Sequence, residues 1–468
     1  MEGIATIILA AGKGTRMRSE LVKVLHPIMG LPMLSYPIEL SLNGIKAEKT
    51  VVVVGHQADR IQERYKDLKI EFALQKEQLG TGHAVLQAIP FLQSFRGTVL
   101  ILCGDVPSVK IETLRSFINT YREFESTLSV LTAVVGNPFG YGRILRSPEG
   151  WLEKIVEEKD GSEEERTIRE INTGIFCIRS PFLMESLGEI GKENAQDEYY
   201  LTDLVEIARK KGLRCSAHIV MDPMEVMGIN TRVDLAMANE FIRQEKLRNL
   251  MLSGVTIVDP KTTYVDQAVE VGRDTLLYPN CHLQGKTKIG ERCIIEPSSK
   301  ISDSVIGNDV IIRPNSVITE SMIEEGASIG PFAHLRPLSE VKTKAQIGNF
   351  VEVKKSVIGK GSKANHLAYI GDSFLGEDVN IGAGTITCNY DGFKKHQTII
   401  GNRVFVGSNV ELVAPVKVGN DSLIGAGTTV TKDVPEGALA ISRVKQKNLR
   451  GWGKKVELRH KKNKNKKD

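Results

Sequence analysis

Residues 288–319 read KIGERCIIEPSSKISDSVIGNDVIIRPNSVIT, and aliphatic side chains recur through them on a beat of six: Ile289, Ile295, Ile301, then Ile306, Ile312, Ile318. The beat returns at Val418, Ile424 and Val430. Glycine repeatedly follows the aliphatic residue, as in Ile329-Gly330, Ile347-Gly348, Ile358-Gly359, Ile370-Gly371, Ile381-Gly382, Ile400-Gly401, Val406-Gly407 and Ile424-Gly425. A period of six fits neither a free helix nor a simple strand. It fits a chain wound around a triangular prism, one flat parallel strand per face, with every sixth side chain on the axis. That is the hexapeptide form of the parallel β-helix. From Gly254 to about Glu436, at roughly 18 residues per coil, the pattern predicts roughly ten coils, well above the three a solenoid needs. Two stretches, Pro331–Ala345 and Cys388–Gln397, are expected to interrupt it, and a break in a scaffold needs a reason.

Outward from this block, the remaining chain has a different texture. At 468 residues it is too long for one core. Short aliphatic runs at Ile4–Leu9, Thr50–Val54, Ile70–Leu74 and Val99–Leu102 alternate with amphipathic stretches such as Ala58–Tyr65 and Gly82–Leu92. The alternation predicts an α/β domain, a parallel sheet with helices on both faces, over 1–230. Further strands are expected in Arg166–Ile178 and Ser216–Val220, and a helix in Tyr199–Lys211. Thr231 and Asp234 stand in a capping-box relation, and Val233, Met237 and Phe241 follow at helical spacing, so 231–252 reads as a linker helix. The solenoid domain then occupies 253–453, and 454–468 reads as a basic, disordered tail.

Charge and cysteine usage narrow the function classes. The net charge of +5 is misleading, because 454–468 hold eight Lys/Arg against Glu457 and Asp468, which leaves the rest of the chain near neutral. A solvated terminus is preferred there over nucleic-acid or membrane contact. No apolar run reaches membrane length, and the start, MEGIATIILAAG, lacks the basic residues of a secretory signal. The six cysteines, at 103, 177, 215, 281, 293 and 388, form no CxxC pair. These features predict a cytoplasmic protein without a disulfide framework, zinc site or membrane association.

The first strand runs into Leu9-Ala10-Ala11-Gly12-Lys13-Gly14-Thr15-Arg16-Met17, with Lys23 beyond. Small residues after a strand let backbone N–H groups approach a phosphate or base, and Arg16 and Lys23 add positive charge. By spacing alone, a glycine turn followed by surface cations explains the segment equally well. Neither GxxxxGK[ST] nor GxGxxG is present.

LAAGKGTRM followed by Lys23-Val24-Leu25 resembles the signature of sugar-phosphate nucleotidylyltransferases. The segments 78–83 (QLGTGH), 104–107 (GDVP), 140–144 (GYGRI), 170–174 (EINTG) and 228–230 (GIN) are similar to one group among them. These are the bifunctional N-acetylglucosamine-1-phosphate uridylyltransferase/glucosamine-1-phosphate N-acetyltransferases, and the likeness runs from Gly3 to Trp452. The resemblance implies that Leu9, Ala10, Ala11 and Gly12, with Gln75, Gly80 and Thr81, hold the uracil and the start of UTP. Cys103 and Gly104 border the same site. Gly142, Glu157 and Asn172 would bond the acetylated sugar, and Asp105 and Asn230 would offer two oxygen ligands to Mg²⁺. Arg16 and Lys23 would be the catalytic cations for in-line attack of the sugar phosphate on the α-phosphorus. Two departures bear on this: Val22 stands where proline is usual, and Cys103 where tyrosine is common.

In the second half, 363–369 (KANHLAY) and 380–392 (NIGAGTITCNYDG) resemble the acetyltransferase part of the same family. The resemblance implies His366 as proton acceptor, since histidine titrates near neutral pH. It implies Arg336, Lys354, Tyr369 and Asn380 for glucosamine 1-phosphate, and Ala383, Asn389, Tyr390, Ser408, Ala426 and Arg443 for acetyl-CoA. It implies a Rossmann-like first domain with a mixed sheet, a left-handed β-helix after it, and a homotrimer, because an open prism face needs a neighbouring prism to close a pocket. Cys388 is either an accessible thiol or inert packing. The expected function is synthesis of UDP-N-acetylglucosamine by two consecutive transfers, the sugar nucleotide of bacterial peptidoglycan and lipopolysaccharide. The alternatives are a single-activity sugar-1-phosphate nucleotidylyltransferase with a regulatory or structural β-helix, and a structural subunit with a decayed site. The first alternative does not need His366, Lys354 or the NYDG segment; the second does not need Arg16, Lys23, Asp105 and Asn230.

Overall fold

The computed structural model describes residues 3–464 and divides into two compact units. One comprises Met1–Asn249 with Val265–Gln267, and the other Leu250–Tyr264 with Ala268–Asp468. The expected linker helix forms as Arg232–Leu252, so most of it belongs to the first unit.

The first unit is built on a sheet in the order Cys215–Ile219, Leu128–Val134, Glu170–Arg179, Thr98–Cys103, Ile4–Ala10, Lys49–Val54, Glu71–Leu74. The sheet is mixed: Glu170–Arg179 runs antiparallel to both neighbours, whereas the other pairs in this order are parallel. Aliphatic runs without polar alternation arise because both faces are covered. Ile7, Val51, Val53 and Ile101 feed one core with the helices Thr81–Leu92 and Asp203–Lys210. Ile8, Val52, Val54 and Leu102 feed the other, against Ala58–Tyr65 and Ile111–Glu123. From strand Ile4–Ala10 the chain first winds to one side of the sheet through Lys49–Val54 and Glu71–Leu74 and then crosses to the other at Thr98–Cys103. The order thus reverses at Ile4–Ala10, and the ends of Ile4–Ala10, Glu71–Leu74 and Thr98–Cys103 border one crevice. Open α/β sheets bind ligands at such a switch point. Two boundaries differ from the sequence reading: Glu163–Arg166 is a helical turn capped by Ser162, with the strand beginning at Glu170, and the later helix starts at Asp203, not Tyr199.

The second unit is a left-handed parallel β-helix, with three sheets of 11, 10 and 9 strands stacked coil upon coil. Most coils return after 17 or 18 residues, as in Ile289↔Ile306 and Leu283↔Ile301, whereas the first, Thr256↔Leu276, takes 20 and the last, Leu423↔Leu439, takes 16. The hexad residues fill the axis: Ile295, Ile301, Ile312 and Ile318 have no exposed surface. The expected break over Pro331–Ala345 is absent. Leu335 and Val341 keep the spacing between Ile329 and Ile347 and are fully buried, so prolines 331 and 337 fall at corners outside the hydrogen-bonded strands. The second break is real. A loop leaves after Ile386–Cys388 and rejoins at Thr398, which stretches the register to 25 residues, as in Ser373↔Thr398. The disordered tail is also corrected, because Trp452–Lys464 is helical, with Lys461 reaching back to Glu457 one turn earlier. Residues 465–468 of that tail lie outside the described residues.

Candidate active sites

In the first unit, Leu9, Ala10, Ala11, Gly12, Lys23, Gln75, Gly80, Thr81, Cys103 and Asp105 line one cavity of about 300 Å³, joined by Gln78 and Glu198. Backbone geometry explains the small residues. Gly104 donates its N–H to Leu9 O at 2.8 Å, and a Cβ there would lie 2.9 Å from the same oxygen. Gly80 has φ +107 and ψ 174, a region open essentially to glycine alone, and a Cβ would fall 2.5 Å from Tyr199 O. The Gln75 side-chain amide is held by Gly80 O at 3.1 Å and His83 Nδ1 at 3.1 Å.

A second cavity, about 250 Å³, shares Leu9, Thr81, Cys103 and Asp105 with the first and adds Gly142, Glu157, Asn172 and Asn230. Asn172 donates its N–H to Gly142 O at 2.8 Å, and Glu157 Oε1 accepts from the Thr202 hydroxyl at 3.2 Å. Burial is the main cause that pushes the Glu157 carboxyl above its ordinary range. All residues singled out for the nucleotide and sugar in the sequence thus border these two cavities, except Arg16 and Gly104, which adjoin them.

The cations meet the oxygens at one point. The Lys23 ammonium bonds Asp105 Oδ2 and also Asn230 Oδ1 at 2.8 Å, while Arg16 Nη2 donates to Asn230 Oδ1 at 2.9 Å. Two hard oxygens converging on one positive atom fit a small divalent cation that takes its other ligands from phosphates and water. Among the described residues no group of three or more His, Cys, Asp and Glu could hold a metal without them.

The two departures find local explanations. Val22 has φ −56, close to the angle proline would impose, so the turn entering Lys23–Leu25 keeps its geometry. Cys103 Sγ donates to Gly174 O at 3.5 Å, and burial first holds its thiol well above the usual range. The thiol therefore packs as a neutral group.

In the second unit the coil register decides which residues meet. Asn349 pairs with His366, Ile381 with Val406 and Val406 with Ile424, so His366, Ala383, Ser408 and Ala426 form one column on the edge between two faces. Arg443 Nη1 reaches Ala426 O at 2.5 Å. His366 Nδ1 lies 2.9 Å from Asn349 Oδ1; an amide oxygen only accepts, so Nδ1 carries the proton and Nε2 is left as the base.

Arg336 and Lys354 stand at the far edge of the neighbouring face, on successive coils. Arg336 donates to Glu352 at 2.8 Å. The Lys354 ammonium is held below its ordinary range by Lys395 first and by Arg336 next. Three cations crowding an exposed corner suit an anion. Asn389 is buried on the same edge, with Nδ2 donating to Asp372 Oδ2 at 2.6 Å, and the exposed Tyr390 donates to Gly392 O at 2.6 Å. The Tyr369 ring extends along the face toward this corner, since a Cβ on Gly371 would sit 2.5 Å from its hydroxyl. Asn380 pairs with Lys363 on the preceding face. A single chain therefore gathers His366, Ala383, Ser408 and Ala426 on one edge and places Asn389, Tyr390 and the cations on another. Cys388 is half-buried, and burial raises its thiol as well.

Lys395, Asn349, His83 and Glu198 were not singled out from the sequence. His83 lies inside the quoted segment 78–83 and Lys395 inside the expected break, so both had a positional signal; Asn349 and Glu198 had none.

A nucleotidyl transferase model matches residues 5–222, and a bacterial transferase hexapeptide model of six repeats matches 397–432. The bifunctional protein GlmU of Pelobacter propionicus is 54% identical over 453 residues, covering 97% of this chain and 98% of the relative. That of Geobacter metallireducens is 54% identical over 470 residues, and that of a Geobacillus species 48% over 453, each spanning 97% of this chain and 98% of its own length. With both domains matched and the relatives covered nearly end to end, the chain belongs to the bifunctional GlmU family.

Proposed function

We propose that the two units catalyse consecutive steps of UDP-N-acetylglucosamine synthesis and that the residues gathered above divide the work. In the second unit, acetyl-CoA acetylates the amine of glucosamine 1-phosphate. His366 Nε2 takes the amine proton as the nitrogen attacks the thioester carbonyl, and coenzyme A leaves. Arg336 and Lys354, with Lys395, hold the sugar phosphate; Tyr369 and Asn380 orient the sugar; Asn389 and Tyr390 border the acyl group. Ala383, Ser408, Ala426 and Arg443 line the coenzyme path.

In the first unit the N-acetylglucosamine 1-phosphate oxygen attacks the α-phosphorus of UTP, and pyrophosphate leaves. Leu9–Gly12, Gln75, Gly80, Thr81, Cys103 and Gly104 hold the nucleotide, and Gly142, Glu157 and Asn172 the sugar. Arg16 and Lys23 neutralise the phosphates and keep the two anions together. Asp105 and Asn230 would hold Mg²⁺, which when bound supplies further charge neutralisation at the phosphates.

The observation that carries the two-site reading is the coexistence of an oriented imidazole at His366 and a convergent Lys23–Asp105–Asn230 cluster in separate units. The split of the acetylation residues over two edges supports a homotrimer, in which one copy's column faces another's cation corner. An exposed apolar column beside His366, Phe332 stacked on Phe350 at 5.3 Å and then Leu367, gives a neighbouring copy a surface to cover. Six free thiols support a reducing, cytoplasmic setting, and no helix among the described residues is long and apolar enough to cross a membrane.

Glucosamine 1-phosphate, acetyl-CoA, UTP and Mg²⁺ supplied together, with acetylated and nucleotidylated products followed separately, test the division. His366→Ala is expected to abolish acetylation and leave UDP-sugar formation from N-acetylglucosamine 1-phosphate intact, with the reverse for Asp105→Ala. Parallel loss of both activities in either variant refutes the two-site assignment.

A further inference from the structure

Gln75 is fixed by more than its place in the cavity wall. Its backbone N–H donates to Val54 O at 2.8 Å, and the residue is only 3% exposed. The side-chain Nε2 has two hydrogens and two neighbours, Gly80 O at 3.1 Å and His83 Nδ1 at 3.1 Å. With the imidazole lone pair on Nδ1, both hydrogens are used. Oε1 then has no hydrogen-bond partner among the described residues, and it is the atom left for a ligand.

His83 is approached from its other side by Gln87, whose Nε2 lies 3.1 Å from His83 Nε2 and 3.3 Å from His83 O. A neutral imidazole has one N–H and one lone pair, so it cannot accept from both amides. Gln75 is buried and anchored by the shorter bond to Gly80 O, whereas Gln87 gives up only a 3.3 Å contact if its amide is reversed. Gln87 therefore turns its oxygen to His83 Nε2–H. The relay runs from Gln87 Oε1, which accepts from His83 Nε2–H, to His83 Nδ1, which accepts from Gln75 Nε2–H.

We propose that His83 is a positioning residue for base selection: it locks the Gln75 amide with its oxygen toward the base, so the site accepts uracil and rejects cytosine. The inference rests on the reading that this cavity takes the base of UTP. Uracil carries a hydrogen on N3, which an amide oxygen accepts; cytosine carries a lone pair there, which the same oxygen opposes. Without the imidazole acceptor only Gly80 O still holds the amide, so reversal, which brings its N–H group to cytosine N3, costs one hydrogen bond fewer.

The full chain carrying His83→Leu is assayed with N-acetylglucosamine 1-phosphate and Mg²⁺ for kcat/KM with UTP and with CTP. The UTP-to-CTP ratio, which does not depend on the fraction of folded enzyme, is expected to fall by about tenfold or more, the scale of one mispaired buried hydrogen bond. His83→Asn, whose Oδ1 can accept where Nδ1 did, is expected to keep the ratio within about threefold of the parent. An unchanged ratio in His83→Leu, or an equal fall in His83→Asn, overturns the positioning role. Gln75→Ala separates this from failure of the cavity reading. If that variant leaves the ratio unchanged, the base binds elsewhere; if it collapses the ratio while His83→Leu does not, only the role of His83 fails.

Discussion

Replacing Gly80 by alanine is a sharp test of the nucleotide site, because one added methyl group meets backbone on one side and a forbidden torsion on the other. At φ +107 and ψ 174 the residue occupies a region in which a side chain costs about 1–3 kcal/mol. The new Cβ would lie 2.5 Å from Tyr199 O and 2.8 Å from Tyr199 N, contacts that the structure cannot keep. Relief requires the 79–82 turn to move off Tyr199, which anchors it through Tyr199 N to Leu79 O and Gly82 N to Tyr199 O, both 2.8 Å. That movement also carries Gly80 O away from Gln75 Nε2, a bond worth about 1 kcal/mol. The sum, about 2–4 kcal/mol, corresponds to a loss of about 30- to 1000-fold in kcat/KM for UTP. The assay is steady-state uridylyl transfer at saturating N-acetylglucosamine 1-phosphate, with acetyl transfer measured on the same preparation as a control expected to be unaffected. A kcat/KM for UTP within about threefold of the parent would show that the loop tolerates the methyl group, and the steric reasoning would be wrong.

Burial first, and then the Glu206 carboxylate, pushes Asp203 up to about 6, whereas an unfolded aspartate titrates near ~3.9. The folded chain thus keeps this proton to higher pH than the unfolded chain, so stability is lost as pH rises from about 4 to about 6 and is level above that. Asp203→Asn is expected to raise the melting temperature at neutral pH, with the gain vanishing near pH ~4 by calorimetry; a gain independent of pH refutes it. Lys395→Ala should raise the KM for glucosamine 1-phosphate about tenfold with little change in kcat, by removing one charge-assisted phosphate contact. A KM unchanged within about twofold in acetyl-transfer kinetics would take Lys395 out of that corner.

Much of the architecture was legible because its causes are local. The six-residue beat needs only an inward side chain per face, so Ile289 to Ile318 specify coils without knowledge of the rest of the chain. The uninterrupted aliphatic runs announce a doubly covered sheet, although not the reversed direction of Glu170–Arg179, which depends on what lies between strands. Pro331–Ala345 does not break the coil because Pro331 and Pro337 occupy corners, where no ladder N–H is needed, and the inward positions Leu335 and Val341 keep step. The tail misled because charge dominates its composition, while the Glu457–Lys461 spacing that suits a helix is a single pair.

At the sites, the residue types and motifs are legible along the chain, because a glycine loop and a histidine within KANHLAY are visible in one dimension. The partnerships came with folding. Lys23 meets Asp105 and Asn230 across 82 and 207 residues. The inserted loop brings Lys395 to Lys354, and coil register sets Asn349 beside His366. Hydrogen bonds choose a tautomer or an amide orientation through neighbours that are close in space and remote in sequence. The base at His366 and the acceptor at Gln75 therefore become definite only once the chain has folded.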